Sequence, residues 1–120
     1  MQPEAKLTRK IRGVFEQAGG RVFKIQGADE SFQEAGIPDT LICLGGQFVG
    51  VEVKQPGGKL RPLQRVVLYE IYRARGVAAI VETVEQAESL LRTIKDRSDF
   101  EIGLLFCRGS VHRVWSERFK

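Results

Sequence analysis

Apolar residues recur every three or four positions near the start of the chain, where Leu7, Ile11, Val14, Phe15 and Ala18 form one stripe. That is the period of an amphipathic helix. Pro3 suits its first turn, and Gly19-Gly20 closes it at about Gln17. The period then changes. Residues 21–25 read as a short strand, residues 27–36 as a loop, and residues 40–44 and 47–54 as two longer strands separated by Gly45-Gly46. Pro62 opens a second helix reaching Arg75, with Leu60, Leu63, Val67, Leu68 and Ile71 on its apolar side and Gly76 as its stop. The unbroken apolar run over residues 77–81 is a parallel strand reached by that crossover. Thr83 caps a third helix, with Gln86 completing a capping box and Ala87, Leu90, Leu91 and Ile94 forming its apolar face. Residues 100–107, a Gly109-Ser110 turn and residues 111–115 read as a terminal hairpin. Its apolar content (Ile102, Leu104, Leu105, Phe106, Val114 and Trp115) suits an extra pair of strands, a cover for a sheet edge or a subunit contact. The pattern predicts an α/β fold, a central mixed β-sheet flanked by helices. It forms one domain over residues 1–120, with a core at about 4–96 and the hairpin as an extension at about 100–120.

The register of the first hairpin brings chemistry into this frame. A Gly45-Gly46 turn supplies the positive φ values that a two-residue hairpin needs. Leu44 then faces Gln47, Ile42 faces Val49, and the same ladder sets Asp39 opposite Glu52. Opposed residues share a face, and period-two alternation adds Lys54 to it while Val51 and Val53 point the other way. Like charges directly opposed destabilise a sheet, so this pair calls for a cation. A hard divalent ion such as magnesium fits, because it takes oxygen ligands and is often held by one or two carboxylates plus water and substrate phosphate. Singly, each residue has a plainer reading: Asp39 as a turn residue after proline, Glu52 and Lys54 as a solvated strand face.

At 120 residues and 42% hydrophobic, the chain can bury one core. Its net charge of +4 is unevenly spread. Between Lys54 and Arg75 six basic residues (Lys54, Lys59, Arg61, Arg65, Arg73 and Arg75) face one acid, Glu70. A basic segment beside a metal-binding acidic pair suits a polyanion, whereas charge alone is equally met by a solvated helix face. Lys24 is a further candidate phosphate contact or simply an exposed strand lysine. Cys43 and Cys107 sit in apolar strand-like runs and read as buried thiols; His112 lies far from the acids, and no zinc-ligand spacing occurs. With no signal-peptide pattern and no membrane-length apolar run, the expected setting is the reducing cytoplasm of a bacterial or phage-type system. No phosphate-binding Gly-x-x-x-x-Gly-Lys-Ser/Thr run is present, which argues against a nucleotide-driven motor.

Gly36-Ile37-Pro38-Asp39, a gap and then Glu52-Val53-Lys54 resemble the signature of PD-(D/E)XK phosphodiesterases. The run over residues 52–64, Glu-Val-Lys-Gln-Pro-Gly-Gly-Lys-Leu-Arg-Pro-Leu-Gln, resembles the VRR-NUC branch of that superfamily. The resemblance covers most of residues 4–84 and implies a restriction-endonuclease-like fold. It further implies a magnesium- or manganese-dependent DNA endonuclease. Asp39 and Glu52 would hold the metal, with the backbone carbonyl of Val53 as a further ligand. Lys54 would position the attacking water or stabilise charge at phosphorus. Glu4 lies on the apolar stripe of the first helix and reads either as inward-facing or as a first-turn partner of the helix dipole; the resemblance makes it a metal-site residue. Gln64 follows Leu60 and precedes Leu68 and Ile71 on the apolar side of the second helix. It reads either as a sheet-facing amide partnered by the acids or their water or as a solvated first-turn glutamine; by resemblance it steadies the site. One stretch departs from the family pattern: Asp29, Glu30 and Glu34 make the approach to Gly36 acidic, where basic residues are expected.

Stand-alone relatives of this kind resemble Holliday-junction resolvases acting as homodimers in DNA repair and recombination, which implies branched DNA as substrate. The absence of a recognition helix or zinc finger favours reading of shape over base sequence. A flap- or duplex-cutting nuclease keeps the chemistry with another substrate. A non-cleaving DNA-binding accessory module keeps only the fold, and the intact Asp39, Glu52 and Lys54 argue against it.

Overall fold

The computed structural model describes residues 3–25 and 35–115. Helix α1 (Pro3–Gln17) leads into β1 (Arg21–Lys24), β2 (Thr40–Leu44) and β3 (Gln47–Val53). Helix α2 (Pro62–Arg73), β4 (Val77–Val81), α3 (Val84–Asp96), β5 (Leu104–Cys107) and β6 (Ser110–His112) follow. The strands form one six-stranded sheet in chain order. Pairing is antiparallel from β1 through β3, parallel across β3, β4 and β5, and antiparallel again between β5 and β6.

The hairpin register is the expected one, Leu44 against Gln47 and Ile42 against Val49. Gly45 and Gly46 carry φ of 57° and 79°, both positive as a tight primed turn demands. The acidic residues Asp29, Glu30 and Glu34 lie outside the described residues. The terminal hairpin is shorter than its apolar content suggests and extends the sheet: Leu105 and Phe106 are buried against β4, whereas Phe100, Ile102, Val111 and Val114 are exposed.

Alternation along the strands divides the core into two layers. Ile42, Leu44, Val49, Val51, Val53, Val77, Ala79 and Val81 face Ile11 and Phe15 of α1 and Ala87, Leu90 and Ile94 of α3. Ala78, Ile80, Leu105 and Cys107 face Leu60 and Leu68 beside and within α2. Each large apolar side chain buried this way contributes about 1.5–3 kcal/mol. The second layer is the thinner one. Helix α2 lies over β4 and leaves the α2-side face of the β2–β3 hairpin open near its turn, so Cys43 of β2 and its β3 partner Phe48 are exposed. Cys43 is therefore not the buried thiol its apolar surroundings suggested, while Cys107 is. Leu63 departs in the same way: it sits on the outer side of α2, 54% exposed.

Thr83 caps α3 by accepting from the Gln86 N–H at 3.0 Å. The return bond slips by one residue, since Gln86 Oε1 accepts from the Glu82 N–H at 2.7 Å and not from that of Thr83.

Candidate active site

The ladder between β2 and β3 ends at Thr40 opposite Val51, so the next step sets Asp39 opposite Glu52. Thr40 and Val51 turn toward α1, and alternation turns Asp39 and Glu52 toward α2. Gln64, in the first turn of α2, meets them there. Its Nε2 donates to Glu52 Oε1 at 3.1 Å, and its Oε1 accepts from the Arg61 N–H at 2.8 Å. Both ends of the amide are thus engaged, which fixes its orientation. Glu52 is only 3% exposed, and its Oε2 is buried with no hydrogen-bond partner. Buried polar atoms without partners are few in folded proteins, and an oxygen left so is open to a water or an ion.

Local sequence explains why these side chains meet. Gly36 has φ of 86°, and a Cβ there would lie 2.5 Å from the Leu63 carbonyl oxygen. Only glycine lets the backbone before Pro38 close against the first turn of α2. Asp39 is tied down on several sides. Its backbone carbonyl accepts from the Ile25 N–H at 3.2 Å, its Oδ1 accepts from the Thr40 hydroxyl at 3.2 Å, and its carboxylate accepts from the Val53 N–H.

Burial dominates the electrostatics of both acids. Desolvation lifts Asp39 from 3.8 to about 6 against the lowering effect of its hydrogen bonds from Thr40 and Val53, with Glu4 raising it and Lys54 lowering it further. Glu52 rises from 4.5 to about 8, first through burial and then through the neighbouring Asp39 charge, opposed by Lys54 and Arg61. Two carboxylates held this far above their ordinary range form a site that favours protons or a cation over two bare charges.

Lys54 follows β3 and is half-buried. Its N–H donates to the Val81 carbonyl of β4 at 3.0 Å. The N–H and C=O of the preceding residue, Val53, therefore face the opposite side, toward β2 and Asp39. The turn after Lys54 is held by a group that the sequence did not reveal. Arg108, with φ of 51° at the β5–β6 turn, is ion-paired with Glu82, and its second guanidinium nitrogen donates to the Gly58 carbonyl at 2.6 Å. Glu82 Oε2 also accepts from the Gly57 N–H at 2.9 Å. A Cβ on Gly58 would lie 3.4 Å from Lys54 Cβ, so the clamped turn packs directly on the lysine. The only sequence signal for this clamp is a lone acid at the end of β4 and a lone arginine before Gly109, both ordinary at strand ends.

The remaining candidates scatter. Glu4, in the first turn of α1, is exposed and not buried over the sheet, yet its charge still raises both Asp39 and Glu52. Among the described residues, no three His, Cys, Asp or Glu side chains gather closely enough to hold an ion by themselves. Lys24 lies opposite Thr40, on the α1 face and not that of the carboxylates. Lys59 and Arg61 are exposed just before α2, and Arg61 is close enough to Glu52 to lower its pKa. Arg65 is half-buried one residue beyond Gln64. Arg73 lies nine residues beyond Gln64, about 13 Å along the helix axis at 1.5 Å per residue. Its guanidinium bonds the Tyr69 hydroxyl at 3.1 Å.

The donor set fits a hard divalent ion. Two opposed carboxylates, one with an unpartnered buried oxygen, and a backbone carbonyl on the same side supply oxygen ligands of the type magnesium and manganese prefer. No protein-family model matches the chain, and no curated protein does. A solved structure described as a VRR-NUC domain is similar in fold, with a TM-score of 0.59 and 27% sequence identity. The match covers 82% of this chain and 100% of that one.

Proposed function

We propose that this chain, a VRR-NUC domain of PD-(D/E)XK-like fold, is a magnesium- or manganese-dependent endonuclease acting on branched DNA. Its nuclease-like fold implies DNA as partner. The observation that carries the metal-dependent reading is the buried, opposed Asp39–Glu52 pair beside Lys54, with Glu52 Oε2 left without a partner.

Asp39, Glu52 and the Val53 carbonyl would hold the ion. When bound, it would polarise the scissile phosphate and lower the pKa of water. The protein's own residues do the rest. Gln64 fixes the Glu52 carboxylate from one side, and Thr40 and the Val53 N–H fix Asp39 from the other. Lys54 brings an ammonium to the same end of β3, where it orients the incoming water or offsets charge growing on the phosphate oxygens. Glu4 adds negative charge at the rim and assists cation binding at longer range. Lys59, Arg61 and Arg65 line the approach over the start of α2 and neutralise backbone phosphates, with Arg73 and Lys24 as outlying contacts. Phosphodiester hydrolysis is a problem of orientation and charge, and this apparatus addresses both.

Four-way junctions are the favoured substrate. The described residues of one chain carry one such site, and resolving a junction takes two cuts, which a symmetric homodimer supplies. The test is a panel of labelled duplex, flap, splayed and four-way junction DNAs, incubated with and without magnesium or manganese. Wild type is expected to nick four-way junctions in pairs on opposing strands, with metal only. Mixing it with an excess of Asp39→Asn protein should give single nicks. No cleavage of any substrate with either metal refutes the nuclease reading; equal cutting of flaps and junctions by a monomer refutes only the substrate.

A further inference from the structure

Next to the proposed active site, α2 presents a second surface that phosphate binding alone does not explain. Pro62, Arg65, Val66 and Tyr69 are spaced three or four residues apart and so share one side of the helix. With Trp115 they line a cavity of about 290 Å³. Tyr69 and Trp115 meet edge to face, ring centroids 5.1 Å apart, and the Arg73 guanidinium lies over the Tyr69 ring at 5.8 Å. Arg65 flanks the opposite end, its Nε buried without a hydrogen-bond partner. Val66, on the wall, is 50% exposed.

We propose that this cavity is a stacking subsite for an unpaired nucleobase, so that the protein grips a single-stranded segment adjoining the phosphate to be cut. The inference rests on the nuclease reading for its biological sense but not for its chemistry. Two aromatic side chains offer a π-surface to a planar ring, and two arginines bracket it with positive charge. A planar, anionic ligand meets both requirements, and a nucleotide is such a ligand. An acidic peptide meets only the charge. A base paired within a duplex cannot enter, because its faces are already stacked. Position supports the same occupant: the cavity begins at Pro62 and Arg65, in the same first turns of α2 as Gln64, the residue that bonds Glu52. A strand crossing the carboxylates would pass Arg61 and arrive at Arg65, Tyr69 and Trp115.

The chain holds one tryptophan, Trp115, which makes the test direct. In EDTA, with no cleavage, a short thymidine oligonucleotide and a splayed duplex should quench its fluorescence, while a blunt duplex of equal length should not. By anisotropy, Tyr69→Ala should bind the oligonucleotide roughly ten-fold more weakly, as loss of one stacked base predicts, with duplex affinity unchanged. Tyr69→Phe should restore the lost affinity. Val66→Glu changes an exposed wall residue without touching the core and should produce the same selective loss, which covers the case of a Tyr69→Ala protein that does not fold. Equal quenching by blunt duplex, or by poly-glutamate, overturns the proposal, as does oligonucleotide affinity unchanged in both Val66→Glu and Tyr69→Ala. Because these readouts need no metal and no cutting, a failed subsite and a failed nuclease are told apart.

Discussion

Replacing Glu52 by glutamine should stabilise the metal-free protein. The folded chain holds the Glu52 carboxyl at about 8 instead of its ordinary 4.5. Ionising it at about pH 8 therefore costs the folded state up to about 4 kcal/mol relative to the unfolded chain. Glutamine carries no charge, and its Oε1 still accepts from Gln64 Nε2. Its amide nitrogen replaces an oxygen that already lacked a partner, so the hydrogen-bond count barely changes. Allowing half the charge term for reorganisation around a buried carboxylate leaves about 2 kcal/mol, or about 8 °C in melting temperature for a domain of this size. The pH dependence has a definite sign. Both acids are raised in the folded state, so their contribution is fully present below about pH 4 and is lost as pH climbs through about 6 for Asp39 and about 8 for Glu52. Wild type in EDTA should thus melt higher in mild acid than at about pH 8, and the advantage of Glu52→Gln should vanish near pH 4. Millimolar magnesium should reverse the order at the higher pH by stabilising wild type alone, since a ligand that binds only the folded state raises its stability. Differential scanning calorimetry of both proteins at two pH values, with EDTA or magnesium, measures each of these melting temperatures. A variant melting below wild type at about pH 8 in EDTA would show that the carboxylate is not held in the environment described.

Three further outcomes follow from the same geometry. Lys54→Ala should reduce the cleavage rate at least a hundred-fold while DNA affinity changes little, because one ammonium at the reacting phosphate matters most in the transition state; single-turnover rates set against anisotropy titrations read the split. Removing Lys59 and Arg61 together should weaken binding to every DNA form and flatten the plot of log affinity against log salt by about two phosphate contacts, and an unchanged slope would move the DNA path elsewhere. Arg108→Ala frees the Gly57-Gly58 turn beside Lys54, so its single-turnover rate should fall about ten-fold at unchanged DNA affinity, with Arg108→Lys restoring part of the loss; full activity in the alanine variant would remove the clamp from the mechanism.

What the sequence revealed and what it hid divide along the range of the interactions. Asp39 opposite Glu52 was readable because a Gly-Gly turn fixes register locally and the ladder propagates it. The two-layer packing was readable for the same reason, since strand alternation assigns a face to each residue. Exposure of Cys43 and Leu63 was not readable, because it depends on where α2 comes to rest across the sheet, and α2 settles over β4, leaving β2 open on that side. Gln64 was readable from its place on the apolar side of α2 and from the run over residues 52–64; its bond to Glu52 depends on Gly36 admitting the backbone of Leu63. The Glu82–Arg108 pair joins residues 26 positions apart through a turn that neither adjoins in sequence, and no local pattern encodes it.

The same distinction shows how the site is maintained. Register alone would leave two carboxylates opposed at the end of a hairpin, where solvent would screen them and repulsion would be small. What lifts the Glu52 carboxyl above its ordinary range is the cover: Gln64 and the first turn of α2 lie against Glu52, which is buried with one oxygen left unmatched. That cover is set by backbone contact at Gly36, and a side chain there would collide with the Leu63 carbonyl. Gly36→Ala should therefore act on the electrostatics through position alone. By lifting α2 from the hairpin it would rehydrate Glu52 and return its pKa toward the ordinary value, abolishing the acid-favoured stability of the metal-free protein and weakening cation binding. A titration of the Glu52 carboxyl followed by carbon NMR in both proteins reads this directly, and a Glu52 pKa that stays near 8 in the Gly36→Ala protein would show that the hairpin, and not the helix cover, sets the charge state.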